Sequence, residues 1–184
     1  MTNPEPRVLL VTGPPGAGKT TVAHTLASRS DRAVHLESDF LFHAIAEGYI
    51  EPWLPEAHEQ NGVVMQVVAD AAASYAVAGY PTIVDGIFAP GWFLEPVRDA
   101  LTAAGVEASL AILRPSHETA SARRARREEH PVPREVVGAL WNEFAALGPL
   151  EHHVFENEGD DVGATAQRIA DAWARGRLIV RSAG

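Results

Sequence analysis

The stretch Gly13-Pro14-Pro15-Gly16-Ala17-Gly18-Lys19-Thr20-Thr21 carries the clearest chemistry in this chain, because it fits G-x-x-x-x-G-K-[ST] without a mismatch. Glycines at these positions let successive backbone N–H groups turn into one concavity, which suits a polyphosphate. The apolar run Val8-Leu9-Leu10-Val11 before the motif and the helix-like Val22-Ala23-His24-Thr25-Leu26-Ala27 after it are the flanks the mechanism requires. The helix adds its free N–H groups and positive dipole end to the same anion. Lys19 is expected at the β- and γ-phosphates of ATP, and the Thr20 hydroxyl on its Mg2+. The chain has 14 Arg and one Lys, which is Lys19 itself. A compact ammonium on a flexible stem is not interchangeable with a planar guanidinium in a phosphate cradle.

Two acids have the right placement to work with this loop. Asp39 follows the second apolar strand, on the sheet edge where the phosphate loop lies. A carboxylate there can take the proton of a hydroxyl that attacks phosphorus, or hold Mg2+ through water. Its alternative role is a helix cap, since Ser38 or Asp39 opens a helical run. Asp85 ends Thr82-Ile83-Val84, the usual place of the Mg2+-associated acid after a phosphate loop; ahead of Gly86 it could equally be a turn residue.

The arginine cluster is the third feature. On a helix, Arg123, Arg126 and Arg127 share a face and Arg124 points away. One or two of them can neutralise charge on a transferring phosphoryl group, with Arg126 and Arg127 nearest the proline-marked loop. The alternative is a solvated face paired with Glu128 and Glu129. Phe40, Phe42, Trp53 and Trp92 fall near strand ends, where they serve as core or as the wall of a substrate pocket. Asn157, after the last strand, is a candidate for the nucleotide's base pocket or an ordinary turn residue. His152-His153 lacks further His or Cys at ligand spacing, and His130 reads as lid or surface.

Strand and helix patterns alternate throughout, which predicts α/β with a mainly parallel sheet. Strands are expected at 7–12, 33–37, 82–85, 107–113 and 152–155. Helices are expected at 18–28, 56–78, 93–104, from the Ser116 cap through the arginines, 134–147 and 161–175. Val63, Val64, Val67, Val68 and Ala71 mark the apolar stripe of the longest helix, and Gly79 ends it. The ligand crevice of such a sheet lies at the strands' carboxyl ends.

At 184 residues with 46% apolar content, one domain over 1–184 is expected. The absence of Cys excludes disulfides and thiolate metal sites. No signal-like or membrane-spanning window is present, so a soluble, cytoplasmic protein is expected. A net charge of −9 argues against binding long nucleic acids and suits a small neutral or cationic substrate.

With these residues in place, the chain resembles the small P-loop kinases grouped around chloramphenicol phosphotransferase, and more distantly the gluconate, shikimate and polynucleotide kinases and the zeta toxins. The resemblance rests on the phosphate loop, on Glu37-Ser38-Asp39-Phe40-Leu41, on Ile83-Val84-Asp85-Gly86-Ile87-Phe88 and on the arginine-rich helix. It implies a three-layer α/β/α fold, a five-stranded parallel sheet of order 2-3-1-4-5, a helical lid near 114–133 and an acceptor-side segment near 38–60. It makes Asp39 the general base and Arg123–Arg127 the lid of an ATP- and Mg2+-dependent phosphotransferase. The acceptor would be a hydroxyl of a small molecule, an antibiotic or a metabolite. Residues 47–55 match no one member, so the acceptor stays open. The rival readings are a nucleoside, nucleotide or polynucleotide 5′-kinase, and a regulatory nucleotide switch or ATPase without a small-molecule acceptor.

Overall fold

A computed structural model describes residues 6–126, 132–159 and 161–181 of the chain. Five strands, β1 (Arg7–Thr12), β2 (Val34–Glu37), β3 (Thr82–Asp85), β4 (Glu107–Leu113) and β5 (Val154–Phe155), form one sheet in the order β2-β3-β1-β4-β5. Every pairing is parallel. The expected strand order is therefore present. Register sets Glu37 beside Asp85 and Val11 beside Asp85, so the ends of three strands meet at one edge.

Helices cover both faces: α1 (Lys19–Ala27), α2 (Ser38–Phe42), α3 (His58–Val77), α4 (Leu94–Ala103), α5 (His117–Ala125), α6 (Arg134–Glu143) and α7 (Val162–Ala174). Alternation along β1 decides the layers, since successive side chains point to opposite faces. Val8 and Leu10 join the core under α3 and α4, while Leu9 and Val11 join the core under α1 and α7.

Three expectations shift. The buried stripe of α3 is Val64, Met65, Val68, Ala69, Ala72 and Ala76, whereas Val63 and Val67 are 62% and 45% exposed. The helix is rolled so that its alanines approach the sheet closely and the valines at 63 and 67 turn outward. Helix α4 starts at Leu94, because Phe93 holds a left-handed φ of 60° and serves as its N-cap. Residues His152 and His153 lie in a 3-10 turn (Gly148–His153), which leaves β5 two residues long. His153 is buried, with Nδ1 3.1 Å from the Leu110 carbonyl. Burial first, then the neighbouring His152, lowers its pKa to about 4. No helix among the described residues is long and apolar enough to cross a membrane.

Candidate active site

The phosphate loop runs from the end of β1 into α1. A Cβ on Gly13 would lie 2.2 Å from the Leu113 carbonyl oxygen, and one on Gly16 would lie 2.1 Å from the Ala120 carbonyl oxygen. Only glycine fits where the loop is pressed against the end of β4 and the body of α5. Asn157 locks it from behind: its Nδ2 donates to the Ala17 carbonyl at 2.8 Å and its side chain is buried. Asn157 is not among the crevice-lining residues and braces the loop through this bond.

Lys19 Nζ donates to the carbonyls of Gly13 at 3.0 Å and Pro14 at 3.3 Å, which folds the ammonium over the loop's own concavity. Thr20 Oγ1 donates to Asp85 Oδ2 at 2.5 Å, and the other Asp85 oxygen sits 3.1 Å from His35 Nε2. Asp85 is 4% exposed, and these two side chains face its carboxylate oxygens. A hydroxyl and a carboxylate side by side suit Mg2+, which takes hard oxygen ligands, keeps several waters and shares phosphate oxygens. No group of three or more His, Cys, Asp or Glu residues suited to a metal occurs among the described residues.

These groups open onto a crevice of about 1390 Å3 at the carboxyl edge of the sheet. Asp39 lines it from the first turn of α2. The N-cap of that helix is Glu37, so capping does not account for Asp39. Ser38 is buried against the end of β3, where a Cβ on Gly86 would stand 2.5 Å from its hydroxyl, and that close approach brings α2 up to Asp85. Phe40, Phe42, Trp53 and Trp92 all line the crevice. Phe40 is 74% exposed, whereas Phe42 is also part of the core beneath.

The arginines divide differently from the helical-face expectation. Arg124 and Arg126 line the crevice and Arg123 does not. The cause is the docking of α5: buried Ala120 faces the phosphate loop, and Arg124, four residues on, shares that side. Arg123 instead reaches the Asn157 carbonyl at 3.5 Å. Glu158 accepts the Ser116 N–H at 2.7 Å and the Thr119 hydroxyl, which pins the start of α5. The Thr119 hydrogen bond, then the Ser116 N–H, holds its pKa below the usual carboxylate range. Arg127 and His130 lie outside the described residues.

Sequence reasoning did not single out His35, the crevice-lining Glu143 or the pair Gln60-Asn61, and it turned Arg124 away from the site. Gln60 accepts from the Ile50 N–H at 2.8 Å and donates to the Ile50 carbonyl at 2.7 Å, while Asn61 donates to the Pro52 carbonyl at 2.7 Å. These three bonds fasten the 49–55 segment to α3. The available signal was a polar residue inside an apolar stripe, since Asn61 lies four residues after buried Ala57 and four before buried Met65.

The AAA_33 family of AAA domains matches this sequence over residues 8–147. No curated protein is significantly similar in sequence. Among solved structures, the tunicamycin resistance protein of Deinococcus radiodurans is similar with a TM-score of 0.69 at 19% identity, covering 95% of this chain and 98% of that one. Shikimate kinase from Acinetobacter baumannii, in complex with shikimate, gives 0.67 at 24%, covering 96% and 97%. The APS kinase of Mycobacterium tuberculosis, in complex with AMPPNP and APS, gives 0.67 at 16%, covering 93% and 99%. With its phosphate loop, its parallel sheet of order 2-3-1-4-5 and this match, the chain belongs to the AAA_33 family and has the fold of the small P-loop kinases.

Proposed function

We propose that this protein is an ATP- and Mg2+-dependent phosphotransferase that phosphorylates a hydroxyl of a small molecule. The observation that carries the reading is that the phosphate loop, the Thr20–Asp85 pair and Asp39 line one crevice of about 1390 Å3. The reading is supported by the similar APS kinase of Mycobacterium tuberculosis, which is in complex with AMPPNP and APS together.

Phosphoryl transfer is mostly positioning and charge neutralisation. Loop N–H groups and Lys19 bind the β- and γ-phosphates, for which Lys19 leaves the Gly13 and Pro14 carbonyls. Thr20 and Asp85 would hold Mg2+, which when bound would supply further neutralisation of the phosphate oxygens. Asp39 accepts the proton of the acceptor hydroxyl as its oxygen bonds to the γ-phosphorus and the bond to ADP breaks. Arg124 and Arg126, with Arg127 in the same run, neutralise charge on the transferring group. The stretch near 114–133, of which α5 is the described part, would serve as the lid that excludes water, without which ATP would be hydrolysed.

The decisive experiment is a screen of hydroxyl-bearing metabolites and antibiotics for an ATP-dependent mass gain of one phosphoryl group. Modification of at least one compound, lost in Lys19→Ala, is expected. Failure of all of them, together with ATP turnover indifferent to Lys19→Ala, would overturn the reading in favour of a different use of the loop.

A further inference from the structure

From residue 33 to residue 97 the chain has no Lys or Arg and nine Asp or Glu. This stretch supplies the crevice wall opposite the phosphate loop: α2, the 49–55 segment, the start of α3 and residues 86–92. The Lys and Arg residues lining the crevice, among those described, are Lys19 on the loop and Arg124 and Arg126 at the end of α5. An anionic acceptor held against this wall would meet Glu37, Asp39, Glu51 and Asp85, with His43 and His58 as the basic side chains there and the Lys and Arg residues confined to the loop and the end of α5, a juxtaposition that disfavours anions.

A second observation is independent of charge. Asn61 lines the crevice, is 2% exposed, and donates through Nδ2 to the Pro52 carbonyl. That bond fixes the amide's orientation, because the reverse would oppose two oxygens. Its Oδ1 is buried without a hydrogen-bond partner. A buried acceptor left unmade costs free energy that a ligand N–H or O–H can recover. Beside it, Trp53, Trp92 and exposed Phe40 form an apolar wall.

We propose that the acceptor is a hydroxylated organic cation with an apolar or aromatic body, whose hydrogen-bond donors are taken by Asn61 and whose charge is taken by Glu51. The proposal rests on the kinase reading above. Glu51 is chosen because it lines the crevice within 3.3 Å of the Tyr49 hydroxyl, on the segment that Asn61 fastens. The same wall is negative enough to act on Tyr49: burial, then Glu51, then Asp39, raises its pKa to about 12. Aromatic faces at 53 and 92 add cation–π attraction to an ammonium.

The test uses hydroxylated arylalkylamines, each paired with its N-acetyl derivative and its carboxylate analogue; phenylalaninol, N-acetylphenylalaninol and 3-phenyllactate are the smallest such trio. Binding is read by tryptophan fluorescence, without nucleotide, and phosphorylation by mass. The amines are expected to bind more tightly than their neutral partners, the advantage shrinking with salt, and the carboxylates least. Glu51→Gln should weaken amine binding about 5-fold while leaving the N-acetyl derivatives unchanged. Asn61→Ala should weaken both about 10-fold with the affinity for ATP unaltered. Preference for carboxylates, no binding by any amine, or equal loss for amine and N-acetyl forms in Glu51→Gln would overturn the proposal. Cation binding without transfer to any compound would leave it standing and count against the kinase reading alone.

Discussion

Asp85→Asn tests the proposed Mg2+ site separately from the rest of the proposed machinery. Asp85 is 4% exposed and is bonded to Thr20 at 2.5 Å and to His35 at 3.1 Å. Asparagine keeps the shape and one acceptor oxygen, and the Thr20 hydroxyl can rotate to accept from the new amide. Each charge-assisted bond then becomes a neutral one, a loss of about 1 kcal/mol apiece. Removal of a buried charge offsets part of this, for a net loss of about 1 kcal/mol and a Tm lower by about 2–4 °C. The larger effect falls on the metal. Loss of a carboxylate that orients or ligates the ion typically lowers metal affinity about 10–100-fold, equivalent to about 1.4–2.7 kcal/mol. Calorimetric titration with ATP, in EDTA and in Mg2+, reads the two states separately. The variant should match the parent in EDTA and lose the extra affinity that Mg2+ gives. An unchanged Mg2+ enhancement in a folded variant would refute the assignment of Asp85 to the ion.

Lys19→Ala should abolish measurable ATP binding by the same titration, and retained turnover would sink the phosphate-loop assignment. Asp39→Asn should retain nucleotide affinity and Tm while transfer to an identified acceptor falls about 100- to 10,000-fold; unchanged turnover would remove the base. Arg124→Ala, Arg126→Ala and Arg127→Ala should slow turnover more than they weaken ATP binding, with normal rates in all three removing the arginines from the mechanism. His153 supplies a pH signature: its folded pKa of about 4 lies below its ordinary 6.5. The unfolded chain therefore takes up the proton first, and stability is lost as pH falls through the window from 6.5 towards 4. Glu151 and Glu158, whose pKa values are lowered from 4.5, lose their contribution only below that value. Urea unfolding between pH 6.5 and 5 should show a slope that His153→Asn flattens.

The donor side was readable because each of its parts is local. The loop's glycines, Lys19 and Thr20 are contiguous, and Asp85 closes an apolar strand whose parallel partner could be inferred from alternation alone. Asp39 was placed correctly at the edge for the same reason. The rest of the crevice was not legible, because it is assembled from long-range approaches. His35 reaches Asp85 across fifty residues, and Asn61 sits over Pro52 only because α3 folds back on its own preceding segment. The exchange of Arg123 for Arg124 has a related cause. Helical spacing states which residues share a face, but the close approach of Ala120 to Gly16 decides which face turns inward. Asn157 likewise reads as a turn residue in sequence, since its partner, Ala17, is 140 positions away.

The hydrogen bond between Thr20 and Asp85 has a consequence for the order in which ligands arrive. A bare Mg2+ ion entering the crevice would have to break that bond and surrender tightly held water in return for two protein oxygens. An ion already carried on the triphosphate brings its own oxygen ligands and asks only that the hydroxyl turn away from the carboxylate. Metal and nucleotide should therefore enter as one complex, and the free ion should be a poor occupant even at concentrations that saturate the chelate. The resting pair acts as a latch that a divalent cation alone does not open.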